Sequence, residues 1–417
     1  MEFAPYKIED CCHILNYLRF PMNSEQRFEM KGEFPYYGAN GVQDYINKWR
    51  FDDDLILIAE DGGNFEQFAT RPIAYRVHGK CWVNNHAHVL KAKDDFSQEY
   101  IFYALEHKNI LFYIAGGTRS KLNQSELKKI SINHPGKQEA DRIGEILKTT
   151  DYAIANTEAL IAKYQLIKTG LMQDLLTKGI DEKGNIRSKT IHKFVIKNGI
   201  EVPEEWEVDC LGKIINAIDP QPDHRTPAPV ENGIPYLGIS DIDENGNIDY
   251  RKCRKVSSRI LVEHNKRYQL SSGDIIFGKI GTIGEPKKLV NIDNLTLSAN
   301  VILIQPKENS DFVYWLLNSA AINQQVKNTI HSTSQPAFGM EKIRSLKIPI
   351  PELSEQERIS KSLNQSDQNI ISLKIHLSKL QSIKTGLMQD LLSGRIRVNY
   401  AQIVDGVTTN TNTASYE

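Results

Sequence analysis

Short apolar runs separated by turn-forming residues occur in both halves of the chain. The runs "LILIAE" (55–60), "DIIFGKI" (274–280) and "NVILIQP" (300–306) are bounded by Gly, Asn and Asp. Runs of this length and composition predict buried strands. Amphipathic patterns over 97–114 and 310–328 predict a helix in each half. Both halves are therefore expected to mix sheet and helix.

Two longer stretches carry an apolar seam with spacings of three and four residues. The seam residues are Leu147, Ile154, Ile161, Tyr164, Leu171 and Leu175 in the first, and Leu363, Ile370, Leu373, Leu377, Leu380, Leu387 and Leu391 in the second. Such seams predict two coiled-coil helices of roughly 40 residues, each about 60 Å long. An amphipathic helix packed only on its own domain is the alternative. Gly179 and Gly394 follow the seams and predict the helix ends.

The chain repeats itself. The ten letters "IKTGLMQDLL" occur at 167–176 and again at 383–392, an offset of 383 − 167 = 216. "EADRI" (139–143) meets "EQERI" (355–359) at the same offset. Upstream, "SQEYIFYAL" meets "NSDFVYWLL" and "NHAHVL" meets "LSANVI" at an offset of 212, and "GEFPYYGANG" resembles "NGIPYLGISD". These matches predict two copies of one unit, each a variable region followed by a long helix.

Two such units predict an α+β fold with a pseudo-two-fold internal repeat. Two mixed α/β domains would be joined by two long helices that form an antiparallel coiled coil. A parallel pair would require the linker to run back about 60 Å, at a cost in chain entropy. The predicted boundaries are 1–135 and 199–350 for the domains, 136–180 and 351–396 for the helices, 181–198 for the linker and 397–417 for a polar tail.

Composition excludes few classes of protein. The 417 residues are 40% hydrophobic and 25% charged, with a formal net charge of −1. This lacks the basic excess of many nucleic-acid-binding proteins, but it is compatible with a local basic face. Five cysteines without CxxC spacing predict reduced thiols. The sequence shows neither a membrane span nor a signal-peptide pattern, which predicts a cytoplasmic protein without a membrane partner.

Two stretches superficially resemble chemical sites. "GDIIFGKI" (273–280) approaches the phosphate-loop pattern, but Ile280 replaces the hydroxyl that would bind Mg²⁺. A strand followed by a glycine turn fits this stretch better. "NNHAHVL" (84–90) places His86 and His88 on one side of a predicted strand, without a Cys or acidic ligand at metal spacing. We therefore predict no metal site and no catalytic residue.

Basic residues cluster locally despite the neutral total. The clusters are "TRSK" (118–121), "RKCRK" (251–255), "HNKRY" (264–268) and "EPKKL" (285–289). They are compatible with phosphate contacts and equally with solvated loops. Tyr36, Tyr37 and Tyr236 stand beside glycines in the matching "PYYG" and "PYLG" segments. A core position is favoured for these tyrosines, and a DNA-facing position is the alternative.

The combination of motifs resembles a known family. Tandem variable regions with "FPYYGANG" or "IPYLGISD", "GDIIFGKIGTIG" and "STSQPAFGMEKIRSLKIPIPELSEQERI", each followed by a helix ending "IKTGLMQDLL", resemble specificity (S) subunits of type I restriction-modification systems. The resemblance covers nearly the whole chain. It implies a non-catalytic subunit whose two target recognition domains each read half of a bipartite double-stranded DNA site.

The resemblance also implies partners for the helices. They would act as a spacer and dock two modification (methyltransferase) subunits, and restriction (endonuclease/translocase) subunits would complete the complex. S-adenosylmethionine is expected in the modification subunits, and no cofactor is expected in this chain. A scaffold protein and a stand-alone duplicated DNA-processing enzyme remain as alternatives.

Candidate contact residues follow from side-chain chemistry. Phosphate contacts are expected from the basic residues Arg119, Lys121, Lys279, Lys287 and Lys288. Base-edge contacts are expected from amide, imidazole and hydroxyl groups at Asn40, Asn84, His86, His88, Ser298, Asn300 and Gln335. In the repeated helical segment, the leucines would face the seam. The side chains then left for partner subunits are Met172, Gln173, Met388 and Gln389.

Overall fold

The structure, a computed structural model, describes residues 3–116, 120–223, 225–243, 246–290, 292–330 and 337–398. The chain divides into two compact units. Unit 1 consists of Met1–Glu158 and His376–Glu417, and unit 2 of Ala159–Ile375. The predicted boundaries kept the long helices apart from the domains, whereas here each long helix contributes about half of its length to each unit, because its two ends pack on different cores.

Unit 1 is built from short strands and helices followed by part of a long helix. Its strands are β1 (Ala4–Lys7), β2 (Cys12–Ile14), β3 (Lys31–Gly38), β4 (Gly41–Ile46), β5 (Phe51–Asp52), β6 (Leu55–Ala59), β7 (Ala74–Val77), β8 (Lys80–Val83), β9 (Ala87–Ala92) and β10 (Ser131–His134). Its helices are α1 (Ile8–Cys11), α2 (Ser24–Glu29), α3 (Gln98–Glu106), α4 (Gln124–Lys129) and the first part of α5 (Lys137–Thr177).

The sheets of unit 1 enclose a core beneath α3. One sheet has the order β2-β9-β6-β7, a second has the order β4-β3-β8-β5, and β1 pairs with β10. Strand β6 is buried along its whole length, as its uninterrupted apolar run predicts. Tyr100, Ile101 and Leu105 of α3 are buried in the same core as Ile56 and Leu90 of the first sheet.

Unit 2 contains the remaining elements. Its strands are β11 (Phe194–Lys197), β12 (Ile200–Pro203), β13 (Glu207–Cys210), β14 (Ile215–Ile218), β15 (Ile234–Leu237), β16 (Arg254–Val256), β17 (Ile275–Gly278), β18 (Gly284–Lys288), β19 (Thr296–Leu297), β20 (Val301–Pro306) and β21 (Lys347–Ile350). Its helices are α6 (Ser258–Asn265), α7 (Ser310–Leu317), α8 (Ala320–Ile330), α9 (Met340–Arg344), the second part of α5 and the first part of α10 (Leu353–Leu392). The second part of α10 belongs to unit 1.

The strand order confirms the internal repeat. The sheet β14-β20-β17-β18 of unit 2 has the same connectivity as β2-β9-β6-β7 of unit 1, and the pair β13–β21 matches β1–β10. The two parallel pairings among the described strands also match: β3 runs parallel to β8, and β15 runs parallel to β19. Tyr36 and Tyr236 lie at equivalent positions in these pairs and are both buried, which confirms their core position.

The short helices differ from the predicted ranges. The helix predicted over 97–114 ends at Glu106, whose carbonyl oxygen accepts the backbone N–H of Ile73 at 2.9 Å. The helix predicted over 310–328 is divided into α7 and α8. The hydroxyl of Ser319 accepts the N–H of Ile322 at 3.3 Å, so this serine caps α8 and begins a new helix.

Within each unit, the segments of α5 and α10 run antiparallel. In unit 1, Asp151 pairs with Lys384 while Glu139, earlier in α5, pairs with Arg397, just beyond α10. In unit 2, Lys168 of α5 pairs with Asp367 of α10. All the predicted seam residues are buried or half-buried, whereas about half of their direct neighbours along the helix are exposed. The seam prediction is confirmed within both units.

A glutamate in the first turn of each long helix binds the chain segment that follows the other long helix. In unit 2, Glu355 forms a buried ion pair with Arg187, and its Oε1 accepts the N–H of Ile180 at 2.8 Å. A Cβ atom at Gly179 (φ +70°) would lie 2.1 Å from the Glu355 carboxylate, so only glycine fits there. The predicted linker 181–198 is thus partly folded, because it also contains β11.

The corresponding glutamate of unit 1 is Glu139, 355 − 139 = 216 residues earlier. Its carboxylate pairs with Arg397 at 2.6 Å and accepts the N–H of Val398 at 3.0 Å. Arg397 also lies 4.9 Å from the ring centroid of Phe3. Part of the segment predicted as a tail, residues 397–398, therefore contacts the start of α5.

The structure describes all five cysteines and both long helices. All five cysteines are free thiols, and four of them are buried. In the described part of the chain, none of the helices is both long enough and apolar enough to cross a membrane.

Candidate nucleic-acid interface

Turns at one end of the unit 1 sheets meet and carry polar side chains. Asn40, in the β3–β4 turn, donates from Nδ2 to the carbonyl oxygen of Gly62 at 2.9 Å. Gly62, in the turn after β6, donates its N–H to the carbonyl oxygen of Ser120 at 3.2 Å. These bonds join three separate turns into one surface. We call it the unit 1 loop cluster: Asn40, Gln43, Glu60, Asp61, Asn84, His86 and Lys121.

Asn84 and His86 shape the β8–β9 turn of this cluster. The Oδ1 atom of Asn84 accepts the N–H of His86 at 2.8 Å, and its Nδ2 donates to Gln43 Oε1 at 3.1 Å. Because Asn84 is buried and both ends of its amide are bonded, its predicted base contact is contradicted. His86 remains 38% exposed, with Nδ1 2.7 Å from Asp61 Oδ1.

Glu60 is the charged centre of the cluster. Its carboxylate lies 2.7 Å from Arg19 Nη1 and 3.3 Å from Lys121 Nζ. Burial raises the pKa of Glu60, but its ion pairs with Arg19 and Lys121 outweigh burial and hold that pKa below the usual value. Lys121 is still exposed enough to reach a phosphate. Its predicted phosphate contact therefore stays a prediction.

The structure contradicts the predicted base contact of His88. The residue is 1% exposed. Its Nδ1 accepts from Asn16 Nδ2 at 2.8 Å, and its Nε2 donates to the carbonyl oxygen of Leu122 at 2.7 Å. Burial lowers the pKa of His88, which favours this neutral tautomer. His86 and His88 also do not share a strand face, because β9 begins at Ala87 and His86 lies in the preceding turn.

Unit 2 repeats the backbone of the β8–β9 turn. The N–H of Glu60 donates to the His86 carbonyl oxygen at 2.8 Å, and the N–H of Lys279 donates to the Asn300 carbonyl oxygen at 2.8 Å. His86 therefore corresponds to Asn300, at an offset of 300 − 86 = 214. The predicted offset of 212, which aligned His86 with Ser298, is wrong for this turn.

The physical reason is that the connection between the strand and the following helix differs in length between the two units. The offset of 212 is correct for α3 and α7, whose N-caps are Ser97 and Asn309. Four residues lie between the end of β9 and that cap, but only two lie between the end of β20 and its cap. The second copy is therefore two residues shorter there, and the strand register shows what letter matching could not.

Lys279 corresponds to Glu60 and carries the opposite charge. Its side chain is 6% exposed, and Nζ lies 2.6 Å from Asp219 Oδ2. A buried cation held by a carboxylate cannot also reach a phosphate, so the predicted phosphate contact of Lys279 is contradicted. The Lys279–Asp219 pair holds the turn after β17, as Glu60 and Arg19 do after β6, with the charges exchanged.

Ser298 and Asn300 have different environments. Ser298 is buried, and its hydroxyl accepts the N–H of Asn300 at 3.3 Å. It shapes the turn as Asn84 does in unit 1, so its predicted base contact is contradicted. Asn300 is exposed, and its side-chain amide bonds to none of the residues that the structure describes. The predicted base contact of Asn300 stays a prediction.

Lys287 and Lys288 lie away from this turn. Strand register places Lys288 opposite Ile275, four strand positions or about 13 Å from Lys279. Its Nζ pairs with Asp311 on α7. Lys287 donates from Nζ to the carbonyl oxygen of Asp243 at 3.3 Å. The structure does not bring these lysines together with Asn300.

The candidates Arg119 and Gln335 lie outside the described residues. Sequence reasoning missed Gln43, Asp61 and Ile280, although a signal existed. The segments "LILIAEDG" and "DIIFGKIG" match at an offset of 280 − 61 = 219. This match places Asp61 and Ile280 at the same position in their turns.

The repeated helical segments expose only part of their predicted partner surface. Met172 and Met388 are half-buried against the cores of their own units, so only part of each side chain is accessible, and their predicted partner contacts stay predictions. Gln173 and Gln389 are exposed, as predicted.

Comparison with known proteins identifies the class. Residues 1–165 and 203–382 match the family model described as the type I restriction modification DNA specificity domain. The match covers well over half of the chain and occurs twice, once in each copy of the repeat. The chain belongs to this family, and its two copies are two DNA specificity domains.

Individual relatives agree with this assignment. The chain is 25% identical over 364 residues to a putative type I restriction enzyme specificity subunit of Haemophilus influenzae, covering 86% of each protein. It is 26% identical over 408 residues to the type I restriction enzyme MjaVIII specificity subunit of Methanocaldococcus jannaschii, covering 89% of this chain and 88% of that one.

A solved structure shares the fold. The crystal structure of a type I restriction-modification S subunit from M. genitalium matches with a TM-score of 0.63 at 16% identity. The match covers 93% of this chain and 96% of that chain. The predicted fold class and the resemblance to specificity subunits are confirmed.

Proposed function

We propose that this chain is the DNA-reading subunit of a type I restriction-modification complex, in which each unit reads one half of a bipartite, asymmetric site in double-stranded DNA. One observation carries the proposal: two equivalent turns on one scaffold present unlike side chains. Asp61 and His86 occupy in unit 1 the positions of Ile280 and Asn300 in unit 2.

Different side chains at equivalent positions of the two units fit two half-sites of different sequence. Each base pair presents its own pattern of donors, acceptors and methyl groups in the major groove, so a different side chain selects a different base pair. The backbone bonds that hold the turn are the same in both units. Such bonds keep a contact residue in place while its identity changes. Lys121 beside the unit 1 turn supplies a phosphate contact that positions the domain.

The two long helices set the spacing between half-sites and dock two modification subunits. Two copies of one partner need two equivalent surfaces, and the repeated segments supply them. Ile167 and Ile383 are identical, large and apolar, and are 47% and 44% exposed. Gln173 and Gln389, six residues further along each helix, are also exposed.

A glycine inside each repeated segment supports docking by a partner. Gly170 and Gly386 lie within α5 and α10, where glycine costs about 1 kcal/mol relative to alanine. A Cβ atom at either position would meet nothing within 4 Å. The contacts within the described chain therefore do not require these glycines, whereas close approach of a partner helix does.

Catalysis belongs to the partner subunits. Methyl transfer from S-adenosylmethionine takes place in the modification subunits, cleavage takes place in the restriction subunits, and the complex works on DNA in the cytoplasm. The purified chain, incubated with S-adenosylmethionine and DNA, should transfer no methyl groups. Methyl transfer by the chain without another protein would refute its non-catalytic role.

A domain exchange tests the two-reader proposal. Residues 1–135 are replaced by the first domain of another family member, and methylated adenines are mapped genome-wide in cells that carry the complex. We expect one half-site to change and the other to persist. Exchange of residues 199–350 is the matched experiment and should change only the other half. A simultaneous change of both halves in either chimera would contradict the proposal.

Two other functions predict different results. A scaffold protein would purify with partners but would not give the complex sequence-specific retention of DNA. A stand-alone duplicated enzyme would act on DNA without partners. Copurification with a methyltransferase together with sequence-specific DNA retardation by the complex separates all three.

A further inference from the structure

The turn that distinguishes the two units contains one pair of positions on neighbouring segments. In unit 1, Asp61 forms an antiparallel bridge with Lys121, and in unit 2, Ile280 forms the same bridge with Ala337. Position 61 is thus equivalent to 280, just as 86 is equivalent to 300. We call Ile280 and Asn300 the unit 2 reading pair, and Asp61 and His86 the unit 1 pair.

The unit 2 reading pair combines an apolar group with an unbonded amide. Ile280 is 44% exposed and does not belong to any of the hydrophobic cores formed by the described residues. Its N–H approaches the Asn300 carbonyl oxygen at 3.4 Å, so the two residues are neighbours. The side-chain amide of Asn300 makes no hydrogen bond with the described residues. Ile280 is thus partly exposed outside the cores, and the Asn300 amide is free of hydrogen bonds with the described residues.

The backbone that carries this pair is held firmly. Lys279, beside Ile280, is fixed by its buried ion pair with Asp219. Ser298, two residues before Asn300, is buried and accepts the Asn300 N–H. Both contact residues therefore extend from a preorganised turn, which lowers the entropy cost of binding.

We propose that Ile280 and Asn300 read one A·T base pair in the major groove of the half-site bound by unit 2. The Asn300 amide makes a bidentate contact with the adenine: its Nδ2–H donates to N7, and its Oδ1 accepts from the N6 amino group. Ile280 packs on the thymine methyl group. This inference rests on the proposed function and adds the base pair that is read.

The unit 1 pair cannot make the same contact. His86 Nδ1 is already bonded to Asp61, which leaves Nε2 as the ring nitrogen facing outward. A single nitrogen offers one hydrogen bond instead of the paired donor and acceptor of an amide. The equivalent turn of unit 1 therefore does not read adenine in this bidentate way, in agreement with an asymmetric site.

Base analogues test the proposal on the unaltered complex of this chain with its modification subunits. The recognised site is placed on a duplex, and each adenine and thymine of the unit 2 half is replaced singly by 7-deazaadenine and deoxyuridine. We expect one base pair at which both replacements weaken binding, because one removes N7 and the other removes the methyl group. The proposal is overturned if the selected half-site contains no A·T pair with this double sensitivity.

Variants then assign the two contacts. Asn300→Ala should lose roughly 5- to 150-fold of its discrimination at that base pair and become insensitive to 7-deazaadenine there. Ile280→Ala should become insensitive to deoxyuridine and keep its sensitivity to 7-deazaadenine. Matched controls are Asn323→Ala and Val290→Ala, which alter exposed residues of unit 2 outside this turn. Both should retain the full double sensitivity.

The outcomes separate this inference from the proposed function. If Asn300→Ala keeps the wild-type preference at every position while domain exchange still changes one half-site, the reading pair is wrong and the two-reader proposal stands. If the complex shows no sequence preference at all, both are overturned. A variant that fails to fold does not affect the test, because the analogue series uses the wild-type chain.

Discussion

Lys384 pairs with Asp151 at 2.8 Å, and the same pair recurs between Lys168 and Asp367. Both members of the first pair have their counterpart 216 residues away, since 384 − 168 and 367 − 151 both equal 216. Each lysine comes from the repeated segment "IKTGLMQDLL", and each aspartate comes from the other long helix. The repeated segment is therefore used for contacts within the chain.

Aromatic rings complete this symmetry. Lys384 Nζ lies 5.6 Å from the ring centroid of Tyr103, and Lys168 Nζ lies 4.9 Å from that of Trp315. Tyr103 and Trp315 hold equivalent positions in α3 and α7, at the offset of 212 that is correct there. An ion pair with an adjacent ring thus joins the long helices and the short helix in each unit.

Removing the lysine should destabilise unit 1. Lys384→Met leaves the mostly buried Glu106 carboxylate without its cation, and it leaves Asp151 with Arg76 as its remaining cation. We expect a loss of about 2 kcal/mol in the free energy of unfolding, less than for a fully buried pair. Urea denaturation measures it, with the exposed Lys379→Met as control. A double-mutant cycle with Asp151→Asn that gives no coupling would show that the pair contributes nothing.

The glutamates in the first turns of the long helices should contribute unequally to the free energy of unfolding. Glu355→Gln leaves the buried Arg187 with only the exposed Glu205, 3.8 Å away, as a counter-charge. It also weakens the acceptor for Trp206 Nε1, now at 3.0 Å. We expect a loss of about 3 kcal/mol in unfolding free energy. Glu139→Gln should cost less, because Arg397 is partly exposed. Chemical denaturation compares the two, with the exposed Glu357→Gln as control, and equal losses would contradict the argument.

Stability should fall in mild acid because of buried histidine. Burial holds the pKa of His88 below its ordinary value of about 6.5, so below that pH the unfolded chain binds more protons than the folded chain. By linkage, this contribution is complete above pH ~6.5 and is lost as the pH falls towards the folded pKa. His134 and His264, whose pKa values burial also lowers, act with the same sign.

Urea denaturation from pH 7 to pH 5 checks this dependence. We expect the unfolding free energy of His88→Gln to vary less with pH than that of the wild type. His13→Gln, at an exposed position, should keep the wild-type slope. Identical slopes for the wild type and His88→Gln would show that His88 is not the titrating group.

The exposed isoleucines of the repeated segments should each anchor one modification subunit. Ile167→Asp and Ile383→Asp introduce a charge into an apolar contact, so each variant should bind one modification subunit fewer, and the double variant should bind none. Native mass spectrometry counts the subunits. Ile375→Asp, also exposed on α10 but outside the repeat, is the control. Two bound subunits in the double variant would refute docking at these surfaces.

The helices should act as a ruler. Inserting one heptad in both α5 and α10 adds about 10 Å of helix, or about three base pairs of DNA, and turns one half-site by over a quarter of a turn. We expect the recognised spacer to lengthen or binding to be abolished. Insertion in α5 alone should strain the helix pair. Mapping of methylated adenines decides the matter, and an unchanged spacer with full activity would contradict the ruler.

The sequence by itself determined the repeat, the long helices and the buried strands. These features depend on local letter order: identity at an offset of 216, apolar spacing of three and four, and apolar runs such as 55–60 and 274–280. Helix and strand periodicities fix which side chains share a face, so such patterns survive without knowledge of distant contacts. The candidates Asn40, His86 and Lys121 could be chosen from their side-chain chemistry, but their position on one surface could not.

Only the tertiary structure decided which polar residues are available. His88, Asn84, Ser298 and Lys279 have the same chemistry as exposed readers, but each is buried by partners distant in sequence, as Lys279 is by Asp219, 60 positions away. The tertiary structure also decided the offset of 214 between the turn before β9 and the turn before β20. Strand pairing, and not letter identity, sets that register. Burial and register are properties of contacts between segments, and local sequence does not contain them.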